Sequence, residues 1–185
     1  MYYEIERYTD LTPADLVDLQ KIAKGTGAGV HILKQREFLK ASMADSVPTD
    51  GLFCATATGL IQITPYGQEI LDRARQLKSG ELTLPQALPE EMIRHLSRVT
   101  PVLISNRIKK HLNINLGSAG VKLLLQLAGS PHAYRWLCRI YGGFLLNEPK
   151  AAGLIAGEER RGSLWTITDS GIDLLKQAAP LLGGS

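Results

Sequence analysis

Apolar residues recur along the chain at two different spacings, and the changes between them mark the elements. In "LTPADLVDLQKIAKG", residues 11–25, Leu16, Leu19, Ile22 and Ala23 fall on one face of a helix. Thr12 is placed to cap it, Pro13 suits its first position, Asp15 its first turn, and Gly25 stops it. A second helix is predicted at about 29–44. The pattern then shortens. "GLFC" (51–54), a turn at Gly59 and "GLIQIT" read as a β-hairpin. After Thr64 and Pro65, Ile70, Leu71, Ala74 and Leu77 restore the helical stripe.

Ser, Gly and two prolines make residues 78–91 a connection, and helices are predicted at 89–99 and 102–112. A further helix, 118–128, has Ser118 as its expected cap, Val121, Leu124, Leu125 and Ala128 as its stripe, and Gly129 as its stop. Another helix is predicted at 131–141 ("PHAYRWLCRIY"). It is followed by a hairpin turning at Gly162 and a helix carrying Leu174, Leu175, Ala178 and Leu181.

The chain repeats itself. "LIQITPYGQEIL" (60–71) and "LWTITDSGIDLL" (164–175) share Leu60/Leu164, Ile63/Ile167, Thr64/Thr168, Gly67/Gly171 and Leu71/Leu175 at a constant offset of 104 residues. Each echo has a helix upstream and a helix downstream, so two copies of one structural unit are predicted. Residues 1–80 form the first domain and 81–185 the second, which owns the extra helices. The expected fold class is mostly α with small β-hairpins.

Helices followed by a hairpin ending "LT-x-x-G-x-x-LL" resemble winged helix-turn-helix proteins. "LFCATATGLIQITPYGQEILDRARQL" looks like the wing and following helix of LysR-type regulators. "AAGLIAGEERRGSLWTITDSGIDLL" is similar to the wing of MarR- and PadR-type regulators. The resemblance covers about 26 residues in each copy and implies tandem winged-helix domains. In those families two short helices precede the wing, and the second enters the major groove. Copy one leaves 27 residues between Gly25 and Phe53 for such a pair. Copy two threads in two ways. In the preferred one, 118–128 and 131–141 are the pair and 131–141 is the reading helix. In the other, 131–141 comes first and "FLLNEPKAAG" reads, against which Pro149 stands.

Composition narrows the function. The 185 residues are 44% hydrophobic and 21% charged, as in a folded soluble protein. No apolar run is long enough to span a bilayer. The polar N-terminus "MYYEIERYTD" is no secretory signal, so no membrane partner and a cytoplasmic location are expected. Cys54 and Cys138 sit among apolar neighbours and read as buried thiols. "GTGAG" (25–29) follows a helix and lacks the lysine of a phosphate loop, so it reads as a helix stop. His31, His95, His111 and His132 are scattered, with no metal-binding spacing. No enzyme, metal or cofactor is expected.

The net charge of +3 is uneven. Residues 1–80 hold nine Lys/Arg against ten Asp/Glu, and residues 81–185 hold twelve against eight. A nucleic-acid partner, if any, therefore belongs to the second half. Arg160 and Arg161 are expected at the wing tip, either on phosphates or paired with Glu158 and Glu159. Arg135 and Arg139, at i and i+4 on 131–141, share a face with base-reading potential. His132 and Tyr134 open that helix, while Trp136, Leu137 and Ile140 are expected in the core. Arg107, Lys109 and Lys110 add a basic run. In copy one only Lys34, Arg36 and Lys40 are candidates.

The leading expectation is a small bacterial, plasmid or phage transcription regulator that binds double-stranded DNA. The alternative is a protein-binding adaptor that resembles, in layout alone, the kleisin-associated tandem winged-helix subunits of bacterial condensins. Copy one is the expected site of any protein partner. Met92, Leu96, Val99, Leu103, Ile108 and Leu112 are expected to bridge the copies or to build a homodimer.

Overall fold

The computed structural model describes residues 2–25, 51–55 and 61–182. The described chain is mostly helical with small antiparallel sheets. It divides into two units: 1–83 with 160–162, and 84–159 with 163–185.

In the first unit, α1 (Tyr2–Thr9) and α2 (Pro13–Ala23) precede the hairpin β1 (Phe53–Ala55) and β2 (Ile61–Ile63), and α3 (Pro65–Ser79) follows it. The capping residues of α2 behave as their types dictate. Asp15 N–H donates to Thr12 Oγ1 at 3.2 Å, and Thr12 N–H donates to Asp15 Oδ2 at 3.0 Å. Such a cap contributes about 1 kcal/mol. Helix α1 was not expected from its polar sequence. Its Ile5 is buried with Leu11, Leu19, Leu52, Ile70 and Leu71. Short helices rarely stand on propensity, and here tertiary packing decides.

In the second unit, α4 (Glu90–Ser97) and α5 (Pro101–Leu112) lead to α6 (Ser118–Gly129). Then come β3 (His132–Ala133), α7 (Tyr134–Tyr141), α8 (Phe144–Ala151), β4 (Ile155–Ala156), β5 (Leu164–Ile167) and α9 (Asp169–Ala178). The sheet order is β3-β5-β4, with Ala133 opposite Leu164 and Ile155 opposite Ile167, both antiparallel. Helix α6 buries Val121, Leu123, Leu124, Leu127 and Ala128, and packs on α4, α5, α8, α9 and β5.

The repeated sentence encodes a repeated set of contacts. In each copy the Thr before the last helix caps it. Thr64 Oγ1 accepts from Gly67 N–H at 3.0 Å, and Thr168 Oγ1 accepts from Gly171 N–H at 3.2 Å. Each hydroxyl donates back to a glycine carbonyl, Gly51 or Gly153, at a separation of 13 residues in one copy and 15 in the other. Each Thr N–H reaches the next carbonyl, Leu52 or Leu154, at 3.0 Å. Gly51 and Gly153 have φ of +70° and +68°, a left-handed turn that disfavours side chains. A Cβ on Gly67 would strike the Leu52 carbonyl, and one on Gly171 the Leu154 carbonyl. The "T-x-x-G" echo is thus a helix start pressed onto the backbone of its own hairpin.

Several expectations need correction. The segment 131–141 is not one helix: His132 and Ala133 pair with β5, and the helix begins at Tyr134. Residues 144–151 do form a helix with Pro149 inside it. In so short a helix the first four N–H groups lack partners anyway, so one proline removes a single ladder bond. Its ring is buried, with Cγ 3.7 Å from a Cβ built on Gly120 of α6, and that packing offsets the lost bond.

Ser118 does not cap α6; Gly117 holds that position without a side-chain bond. The apolar residues of α4 and α5 mostly serve their own unit. Leu96 and Ile108 are fully buried in its core, and Met92, Val99 and Leu112 pack against it. Only Leu103, with Val102, stays largely exposed among the apolar residues of these two helices. Cys54 and Cys138 are half-buried instead of buried. The predicted helix 29–44, with His31, Lys34, Arg36 and Lys40, and the turn of the first hairpin lie outside the described residues.

Candidate nucleic-acid interface

At the junction of α7 and α8 the second unit exposes two arginines, Arg135 and Arg139, and three apolar residues, Ile140, Phe144 and Leu145. Helix α7 buries Trp136 and Leu137 and exposes Arg135 and Arg139. Trp136 leans back toward the helix N-terminus, as helical side chains do, with its ring 4.9 Å from that of His132. The last turn of α7 is left uncovered, so Ile140, expected in the core, is 52% exposed. Gly142 and Gly143 then turn the chain into α8.

Helix α8 buries Leu146 and Pro149. Phe144, Asn147, Glu148 and Ala151, at i, i+3, i+4 and i+7, form its opposite face, and all four are exposed. Phe144 is 84% exposed. The alternative threading placed a reading helix here, and Pro149 stood against it. Beyond it, Lys150 Nζ pairs with Glu159 at 2.6 Å and lies 5.1 Å from the Trp165 ring.

The remaining candidates go elsewhere. His132 is completely buried, and its Nε2 lies 2.7 Å from the Gln126 amide nitrogen, so it is a core residue and not an exposed group at the start of a reading helix. Tyr134 is half-buried and stacks on Trp165 at 5.6 Å. Burial, then a hydrogen bond with Cys138, pushes its phenol up to about 12. Lys109 and Lys110 are exposed on α5, which packs on α6 and α9.

Arg160 and Arg161 were expected at an open wing tip, and the first unit takes in both. The Arg160 guanidinium lies 3.4 Å from the centre of the Tyr66 ring. Arg161 Nη2 pairs with Asp15 Oδ2 at 2.6 Å, with side chains only 4% and 8% exposed. The segment's backbone is bonded as well. Tyr66 OH donates to Arg161 O at 2.9 Å, Arg73 Nη1 to Gly162 O at 2.7 Å, and Gly162 N–H to Asp10 Oδ2 at 2.8 Å. So buried a side chain is not the open wing-tip cation that a phosphate contact would use. A buried guanidinium needs a buried partner, and Asp15 supplies it.

Among the described residues, no cluster of three or more His, Cys, Asp or Glu could hold a metal ion. Among them also, no helix is long and apolar enough to cross a membrane. No family model, no curated protein and no solved structure matches the chain.

Proposed function

We propose that the chain is a sequence-specific binder of double-stranded DNA, acting as a small transcription regulator through a winged helix-turn-helix in its second unit. One observation carries this reading. Helix α6, β3, α7, α8, β4 and β5 follow one another in that order around a β3-β5-β4 sheet, α8 keeps one face exposed, and α7 exposes Arg135 and Arg139. That order is the one a winged helix uses, with the second helix of the pair presented to the major groove. The reading helix is therefore α8, and not 131–141. Arg135 and Arg139 on α7 neutralise phosphates, and the modest basic excess of the second half supplies the general attraction.

A titration of the full chain into a dye-labelled pool of random duplexes tests this. Anisotropy should rise at about 50 mM salt and collapse as salt approaches about 200 mM. No rise at the lower salt overturns the reading.

A second reading, a protein-binding adaptor, draws on a specific observation. Phe144, Ile140 and Leu145 are 84%, 52% and 37% exposed at one corner. Contiguous exposed apolar patches are a mark of protein interfaces. Failure of the duplex titration would make this the leading account.

A further inference from the structure

We infer that Phe144 selects a thymine in the bound site by covering its C5-methyl group. The inference rests on the DNA-binding reading above and assigns that interface a base preference. Phe144 is the first residue of α8, and the N-terminal residues of a reading helix are the ones that meet base edges. At 84% exposed it forgoes the stabilisation that a buried phenyl ring would give, so its own fold does not use it.

In the major groove each base edge offers polar atoms, and thymine alone adds a methyl group, the natural contact for an apolar side chain. The rest of the outward face is polar and of the right types. Asn147, one turn on, is able to bond adenine N6 and N7, and Glu148 to accept from cytosine N4. A basic side chain here would instead favour guanine, and the outward face of α8 has none.

The experiment uses the full chain and the tightest duplex it selects from a random pool. Each thymine of that duplex is replaced in turn by uracil, which removes only the methyl group. For the wild type, one such replacement should weaken binding about fourfold, the value of one buried methyl. Phe144→Ala should bind the thymine and uracil versions equally. The position is exposed, so the variant should unfold at the wild-type midpoint, which is measured alongside.

Two outcomes overturn the inference while leaving DNA binding in place: no thymine is methyl-sensitive in the wild type, or Phe144→Ala keeps the fourfold difference. A wild type that binds no duplex overturns the DNA reading and the inference together, and assigns the apolar corner to a protein partner.

Discussion

Gly171→Ala should destabilise the second unit, although alanine is the better helix former. Gly171 lies in the first turn of α9, where the propensity gain on replacing glycine is at most about 1 kcal/mol. Against it stands the Leu154 carbonyl, which the new Cβ would strike, with Ile167 Cγ1 close behind. That carbonyl is backbone, and it accepts the Thr168 N–H at 3.0 Å, so it cannot retreat without loosening the bond. Forced overpacking costs about 1–3 kcal/mol and the weakened hydrogen bond about 1 more. The expected net is a loss of about 1–3 kcal/mol.

The assay is urea unfolding followed by tryptophan fluorescence. Both tryptophans of the chain, Trp136 and Trp165, are buried in the second unit, so the signal reports it. With a slope of about 1–3 kcal/mol per molar urea, the midpoint should fall by roughly 1 M. Gly129→Ala is the internal control. It is also helical, but its Cβ would meet nothing within 4 Å, so its midpoint should hold or rise. A Gly171→Ala midpoint equal to or above that of the wild type would refute the argument.

The buried pair and the Tyr134 phenol give further predictions. Arg161→Ala leaves Asp15 buried without its cation and should cost the first unit about 3–5 kcal/mol, read as a lower midpoint in far-ultraviolet circular dichroism; a change below about 1 kcal/mol contradicts the ion pair. Asp15→Ala should do similar damage, and the double variant should lose much less than the sum. Tyr134 favours its neutral form when folded, so its contribution to stability is complete below about pH 10 and fades as pH rises toward about 12. The phenolate absorbance of wild type minus Tyr134→Phe should therefore titrate near 12, and a step near 10 would contradict the upward shift.

What was legible in the sequence was local. Thr12, Pro13 and Asp15 announce α2 because a cap is made within four residues. The echo announces a shared hairpin-to-helix start because its bonds span 13 or 15 positions. What was hidden depends on distant partners. Ile5 turns a polar segment into a helix by meeting residues as far along the chain as Leu71. His132 and Ala133 are a strand only because Leu164 and Trp165 lie opposite them. Pro149 is tolerated because α6 offers a glycine to pack on. Arg161 looks like a wing-tip cation, yet its partner is 146 positions away, and no spacing rule relates the two. For the candidate site, Arg135 and Arg139 were legible as one exposed face. A helix at "FLLNEPKAAG" was legible only as the alternative threading, disfavoured on proline propensity, a weak prior once packing is present.

The central claim is that α7 lays its arginines along phosphates while the second unit faces a duplex. The most direct measurement compares the salt dependence of duplex binding for the wild type and the Arg135→Ala/Arg139→Ala double variant. Both residues are exposed, so the variant should keep the fold. Two lost phosphate contacts should make the log–log slope shallower by about 2 and weaken binding to all sequences alike. A variant with the wild-type slope and affinity, or a wild type with no affinity for duplex DNA at about 50 mM salt, would contradict the account.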